Sequence, residues 1–287
     1  MTLPAGGSAP AGASAPIGLF DSGVGGLSVW REIVRQLPSE STIYLADRAH
    51  VPYGNREAEE IRHFSVHITE RLVEAGCKAV VVACNTASAV ALHSLRRRFP
   101  GLPILGLEPA VKPAVALTRS GVVGVMATPA TFQGELYRAT VGRHAVDVRV
   151  VEQVCIGLAE LVESGALDDP ASDAELQRFL EPMLAAGADT IVLGCTHYPF
   201  VIEAIRRLVG PGLQVVDPAP AVARHLGQLL QREGLALPSG QGRHRFFTTG
   251  DPACFDRAAA RLVSVQSASQ PLAWRRSSGG ELLLPMV

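Results

Sequence analysis

Residues 75–111 read AGCKAVVVACNTASAVALHSLRRRFPGLPILGLEPAV, and residues 186–222 read AGADTIVLGCTHYPFVIEAIRRLVGPGLQVVDPAPAV. Aligned without a gap at an offset of 111, the two stretches are identical at 12 of 37 positions, among them Gly76/Gly187, Cys84/Cys195, Arg96/Arg207, Pro100/Pro211 and Pro109/Pro220. Each copy runs as an apolar strand, a cysteine, a helix, a Pro-Gly turn and a second strand. IGLFDS (17–22) and VGVMAT (123–128) are weaker counterparts ahead of them. A lone repeated turn would not hold register for so long. Duplication of a whole unit is the economical explanation, and it predicts two similar domains related by a pseudo-twofold axis.

Working outward, short β-rich runs alternate with helical patterns from Pro16 onward. Ile17–Phe20, Thr42–Ala46, Ala79–Ala83, Ile104–Leu107, Val122–Met126, Val146–Val151, Thr190–Leu193, Gln214–Val216 and Phe246–Thr249 read as strands. Nearly all are continuous apolar runs, the pattern of a parallel sheet covered by helices on both faces. Between them, Ala58–Ala75 repeats Ile61, Phe64, Ile68 and Leu72 at helical spacing, with Glu59, Glu60, Arg62 and Glu70 on other faces. The fold class is therefore α/β, built as two pseudo-symmetric three-layer domains with mainly parallel sheets. Residues 1–15, rich in Ala, Gly, Ser and Pro, carry no periodic apolar face and are read as a disordered tail.

Bulk properties narrow the chemistry. A chain of 287 residues, 47% hydrophobic and 18% charged, buries a sizeable core, and 26 basic against 27 acidic side chains set up no field favouring nucleic acid or an anionic membrane. The expected partner is a small molecule, with no nucleic acid and no membrane. Only Lys78 and Lys112 are lysines, so a pyridoxal phosphate enzyme would have to build its Schiff base on one of them. The five cysteines, Cys77, Cys84, Cys155, Cys195 and Cys254, are an odd number in a chain that needs no staples, which fits free thiols in a reducing, cytoplasmic compartment. No apolar stretch is long enough to span a membrane. The cysteines lack metal-site spacing, no HExxH occurs, and GxSxG is absent, so metal binding and a serine hydrolase are both disfavoured.

Cys84 and Cys195 sit where ligands bind in open α/β sheets, between a strand's carboxyl end and the next helix N-terminus. A thiol there is expected to have a lowered pKa. Cys77, Cys155 and Cys254 read as buried small hydrophobes. Asn85 and Thr86 after one thiol, and Thr196 and His197 after the other, are N-cap residue types that also suit a carboxylate ligand. His197 titrates near neutrality and has no counterpart in the first copy, making it the acid/base candidate among eight histidines. The loop Asp21-Ser22-Gly23-Val24-Gly25-Gly26 is glycine-rich but matches no nucleotide fingerprint, and Asp21 is placed for a turn or for proton transfer. In DRAHVPYG (47–54), Tyr53 is read as either a rim aromatic or a hydroxyl donor. Two equivalent thiols suit a mirror-symmetric reaction, racemisation beside a carboxylate, in which one group removes the proton from one face and the other returns it to the opposite face.

The motifs Asp21-Ser22-Gly23, Pro52-Tyr53-Gly54, Cys84-Asn85-Thr86-Ala87-Ser88, Cys195-Thr196-His197-Tyr198-Pro199 and Thr248–Asp251 together resemble the cofactor-independent glutamate racemases, over about residues 16–266. The resemblance implies an aspartate/glutamate racemase fold with its active site at the domain interface. Residues 16–107 plus 217–266 would form one domain and 108–216 the other, with 267–287 a tail that has no counterpart. It further implies that Cys84 and Cys195 are the catalytic acid/base pair, that Asp21, His197 and Glu163 assist them, and that Asp21, Ser22, Pro52, Tyr53, Gly54, Asn85, Thr86, Thr196 and His197 hold substrate, with no cofactor and no metal. Cys84 would serve the D-enantiomer and Cys195 the L-enantiomer, in supply of D-glutamate for peptidoglycan. Ile156 departs from the family, which usually has proline there. An aspartate racemase and a non-catalytic two-lobed binder of acidic ligands stay open as alternatives, as does the oligomeric state, a homodimer included.

Overall fold

The computed structural model describes residues 12–167, 169–277, 280 and 282–284. Ten strands matter to the architecture: β1 (Ile17–Asp21), β2 (Thr42–Ala46), β3 (Ala79–Val82), β4 (Ile104–Gly106), β5 (Val122–Ala127), β6 (Arg149–Val154), β7 (Thr190–Gly194), β8 (Gln214–Val216), β9 (His244–Thr248) and β10 (Gln270–Pro271). They form two sheets, ordered β10-β9-β2-β1-β3-β4 and β6-β5-β7-β8, with every neighbouring pair parallel. The order 2-1-3-4 of the first sheet thus recurs as 6-5-7-8 in the second. The duplication read from the sequence is a duplication of topology, and the class is α/β with two pseudo-symmetric parallel sheets.

Local chemistry explains the elements. The helix Ala58–Glu74 (α2, after α1 at Leu27–Gln36) starts on a reciprocal capping box between Glu57 and Glu60 and buries Ile61, Phe64, Ile68 and Leu72. It ends at Gly76, whose φ of 78° an L side chain resists, and Gly187 repeats the device with φ 85° before β7. That accounts for the identical Ala-Gly pair at the head of each copy. Apolar side chains from both faces of each sheet pack under helices: Trp30, Ile33, Leu226 and Phe255 on one side of the first sheet, Phe64, Ile68 and Leu92 on the other. Leu180, Met183 and Ile205 cover one face of the second sheet, and Val111, Ala114 and Tyr137 the other.

Two expectations shift. The strand read at Val146–Val151 lies at Arg149–Val154, with Val146 78% exposed. As the edge of its sheet, β6 has solvent beside it and alternates in burial, so a continuous apolar run is the wrong guide there. The segment beyond Gln266 does have a place: Gln270 and Pro271 pair with Phe247 and Thr248 as an added edge strand. Residues 1–11 of the N-terminal tail lie outside the described residues. Within that tail, the Ala13 carbonyl accepts from Lys78, which also forms a fully buried ion pair with Glu40 at 2.5 Å.

Candidate active site

The carboxyl ends of β1, β3, β5 and β7 converge, and most of the residues singled out from the sequence converge with them. Cys84 caps the helix Asn85–Arg98 (α3), its Sγ accepting from the Ala87 N–H at 3.4 Å. Cys195 follows β7, and there the two copies part: Pro199 lies inside a 3₁₀ turn, Tyr198–Val201, that precedes the helix Ile202–Val209. Both thiols are buried, as are Asp21, Ser22, Asn85, Thr86, Thr196 and His197.

A hydrogen-bonded network stitches the first-sheet residues to the second-sheet ones. Thr196 donates to Asp21 Oδ2 at 2.8 Å, and the Gly23 N–H donates to Asp21 Oδ1 at 2.6 Å. Ser28 donates to the Thr196 carbonyl at 2.9 Å. The imidazole of His197 bridges Cys195 Sγ, 3.7 Å from Nδ1, and Glu163 Oε1, 2.9 Å from Nε2. Glu163 in turn accepts from the Val24 N–H at 2.7 Å and pairs with Arg48 at 3.2 Å. Thr86 and Thr128 share a hydrogen bond at 3.0 Å.

The glycine-rich loop now has a reason other than phosphate. A Cβ on Gly23 would collide with the Glu163 carboxylate, and one on Gly25 with the His197 ring. Bare backbone lets the two side chains from the other copy approach the start of α1.

Burial, followed by the Asp21 carboxylate, pushes the Cys84 thiol well above its ordinary range, outweighing the N–H groups of Ala87 and Ser22. The lowered pKa expected for a helix-terminal cysteine is therefore overturned for Cys84: these N–H contacts do not offset complete desolvation. Burial also lifts Asp21, against the opposing pull of His197, Gly23 and Thr196. For His197 burial acts downward, but the hydrogen bonds to Cys195 and Glu163 prevail and hold it well above 6.5 as an imidazolium. Burial acts upward on Glu163, and His197, the Val24 N–H and Arg48 together bring it below 4.5.

Asn85 is buried with neither its amide nitrogen nor its oxygen partnered. Gly54 packs against Thr128. Pro52 precedes the short turn Tyr53–Asn55, and of the two readings of Tyr53 the structure has the hydroxyl donor, not the rim aromatic: it is buried and gives its hydroxyl to Asp47 at 2.6 Å. Cys77 and Cys155 are buried as read, but Cys254 is half-exposed, its Sγ 3.0 Å from Asp251 Oδ2. Sequence reading missed Arg48, Thr128 and Tyr44, whose hydroxyl donates to the Gly23 carbonyl at 2.9 Å. Thr128 was findable, since the repeat places it opposite Ser22; Arg48 and Tyr44 carry no such signal. Among the described residues no group of three His, Cys, Asp or Glu side chains is placed to hold a metal ion, and no helix is long and apolar enough to cross a membrane.

The chain is 50% identical to the glutamate racemase of Roseiflexus sp. (strain RS-1) over 248 residues, covering 86% of this chain and 91% of that one. A glutamate racemase isoform of Bacillus anthracis superposes with a TM-score of 0.83 at 35% identity, over 90% of this chain and 97% of the other. The glutamate racemase of Francisella tularensis, solved with D-glutamate, superposes with a TM-score of 0.80 at 26% identity, over 90% and 96%. The family described as Asp/Glu/Hydantoin racemase matches residues 17–226, and the chain belongs to that family.

Proposed function

We propose that the protein interconverts L- and D-glutamate by passing the α-proton between two thiols, Cys84 and Cys195, without a cofactor. The observation that carries this reading is their equivalence: each follows the same strand of a duplicated sheet, and both open into one buried polar network. The thiolate on one side takes the α-proton, breaking Cα–H and forming S–H. The thiol on the other side gives its proton to the opposite face, so the negative charge moves from one sulfur to the other. On the Cys195 side, the His197 imidazolium held by Glu163 stabilises a thiolate and can restore its proton. On the Cys84 side, Asp21, lifted by burial, is the group able to take the thiol proton before attack on the D-enantiomer.

Asn85, with an amide wanting both a donor and an acceptor partner, together with Ser22, Thr86 and Thr196, suits the carboxylate and ammonium of an amino acid. Closure of the site around such a ligand excludes water and strengthens these interactions. The same reading takes 16–107 plus 217–266 and 108–216 as the two domains. It places the enzyme in the cytoplasm, supplying D-glutamate for peptidoglycan; the free state of all five cysteines suits that compartment. The test is chiral analysis of L-glutamate and L-aspartate incubated with purified protein in D2O without additives. D-glutamate carrying deuterium at Cα is expected. Neither product nor deuterium would refute the reading, and turnover of aspartate alone would move the substrate.

A further inference from the structure

We propose that Trp274 is a positioning residue for the reaction, and that residues 267–277, with Leu282, act as a strap that fixes the loop 47–54 beside the thiol site. This inference rests on the racemase reading for its kinetic arm only.

Asp47 follows β2 with its side chain fully buried, so its carboxylate depends on protein donors. Tyr53 donates to Oδ2 at 2.6 Å and His50 Nδ1 lies 2.9 Å from the same oxygen. Thr249 donates to Oδ1 at 2.8 Å, and the fourth donor is the Trp274 indole N–H, at 2.7 Å from Oδ1. The strap that brings it is itself anchored. Ser267 and Ser269 bind Asp256, the Leu272 N–H donates to the Thr248 carbonyl, and His63 Nε2 lies 2.6 Å from the Leu282 carbonyl. The indole also packs edge-on to His50, which stacks on Phe64 with ring centroids 3.9 Å apart.

On its other side the same loop reaches the site. Arg48 pairs with Glu163, the partner of His197, and Gly54 lies against Thr128, the partner of Thr86. Trp274 therefore acts on the thiol chemistry through Asp47 and the loop, not by touching substrate. Trp274 lies outside the matched family span, residues 17–226.

Trp274→Phe removes the N–H and part of the indole ring system while keeping an aromatic ring beside His50 and Phe64. It is expected to lower kcat/KM by roughly three- to tenfold in both directions. If Trp274 works through the loop that carries Arg48, then Trp274→Phe combined with Arg48→Gln should be no worse than Arg48→Gln alone by more than about twofold. Multiplying losses, or a Trp274→Phe rate within error of the parent, would overturn the proposal. Amide hydrogen exchange supplies an arm independent of substrate: residues 48–56 should exchange faster in Trp274→Phe while β1 and β3 are unchanged. If the parent protein fails to racemise glutamate, the functional reading falls but this arm still decides the strap, with unchanged exchange at 48–56 as the refuting result.

Discussion

At Gly25 the backbone passes so close to the His197 ring that a single methyl group has nowhere to go. Gly25→Ala should displace the imidazole from Cys195 and lower kcat/KM by about 100-fold, more than its effect on folding would suggest, because misplacement of a reacting group by about 1 Å costs on that scale. Steady-state kinetics beside a melting curve checks it; an active Gly25→Ala enzyme would mean that the ring is free to move. For the thiols, Cys84→Ala and Cys195→Ala should each abolish racemisation in both directions, and full activity in either would end the two-base mechanism. The assistants should be unequal. His197→Asn should mainly impair kcat for L-glutamate and Asp21→Asn that for D-glutamate. The two kcat/KM values must fall together, because enantiomers have an equilibrium constant of one. Separate kcat values with α-deuterated substrate of each hand decide the point, and equal isotope effects in all four cases would mean shared assistance.

The seven-residue helix Leu158–Ser164 delivers Glu163, and with it the pH behaviour of the Cys195 side. The signs follow from the shifts. His197 titrates above 6.5 in the folded protein, so its contribution to stability is complete below about pH 6.5 and fades as pH rises through the raised value. Glu163 titrates below 4.5, so its contribution is complete above about pH 4.5 and fades as pH falls through the lowered value. The pair stabilises most between those limits. Glu163→Gln should accordingly cost about 3 kcal/mol there, the scale for breaking a buried pair, with the deficit shrinking at either extreme. It should also move the alkaline limb of the rate profile to lower pH, since His197 loses a carboxylate that favours its charged form. Chemical denaturation and kcat measured across pH test both; a deficit independent of pH would reassign Glu163 to packing alone.

For the whole molecule, one buried ion pair ties distant parts of the first lobe. Lys78 at the head of β3 reaches Glu40 before β2 and donates to the Leu235 carbonyl at 2.9 Å, while Glu40 accepts from the Leu237 N–H. Lys78→Met leaves Glu40 buried and unpaired, and should cost about 3–5 kcal/mol of stability while the folded enzyme keeps its turnover. Loss of turnover with stability intact would show that this lysine has a chemical task. Two hollows of about 550 Å³ lie away from the thiols, around Arg206–Val215 and between Arg31, Phe200 and Arg261.

By itself the sequence determined the duplication, the α/β class, the main strands and the pairing of Cys84 with Cys195. These rest on local periodicity and on a repeat frame, both properties of neighbouring residues along the chain. Helix α2 was legible for the same reason, while β6 was misplaced because an edge strand lacks the double-sided apolar signature. Asp21, Thr196 and His197 were visible as polar residues beside strand ends. That Thr196 binds Asp21 across 175 positions, that Glu163 meets the Val24 N–H across 139 and that Trp274 meets Asp47 across 227 were settled only by tertiary packing. The direction of the Cys84 shift belongs to the same class. A helix terminus is a local feature that favours thiolate, but desolvation sums over every atom that surrounds the sulfur, and only the folded chain brings those atoms together.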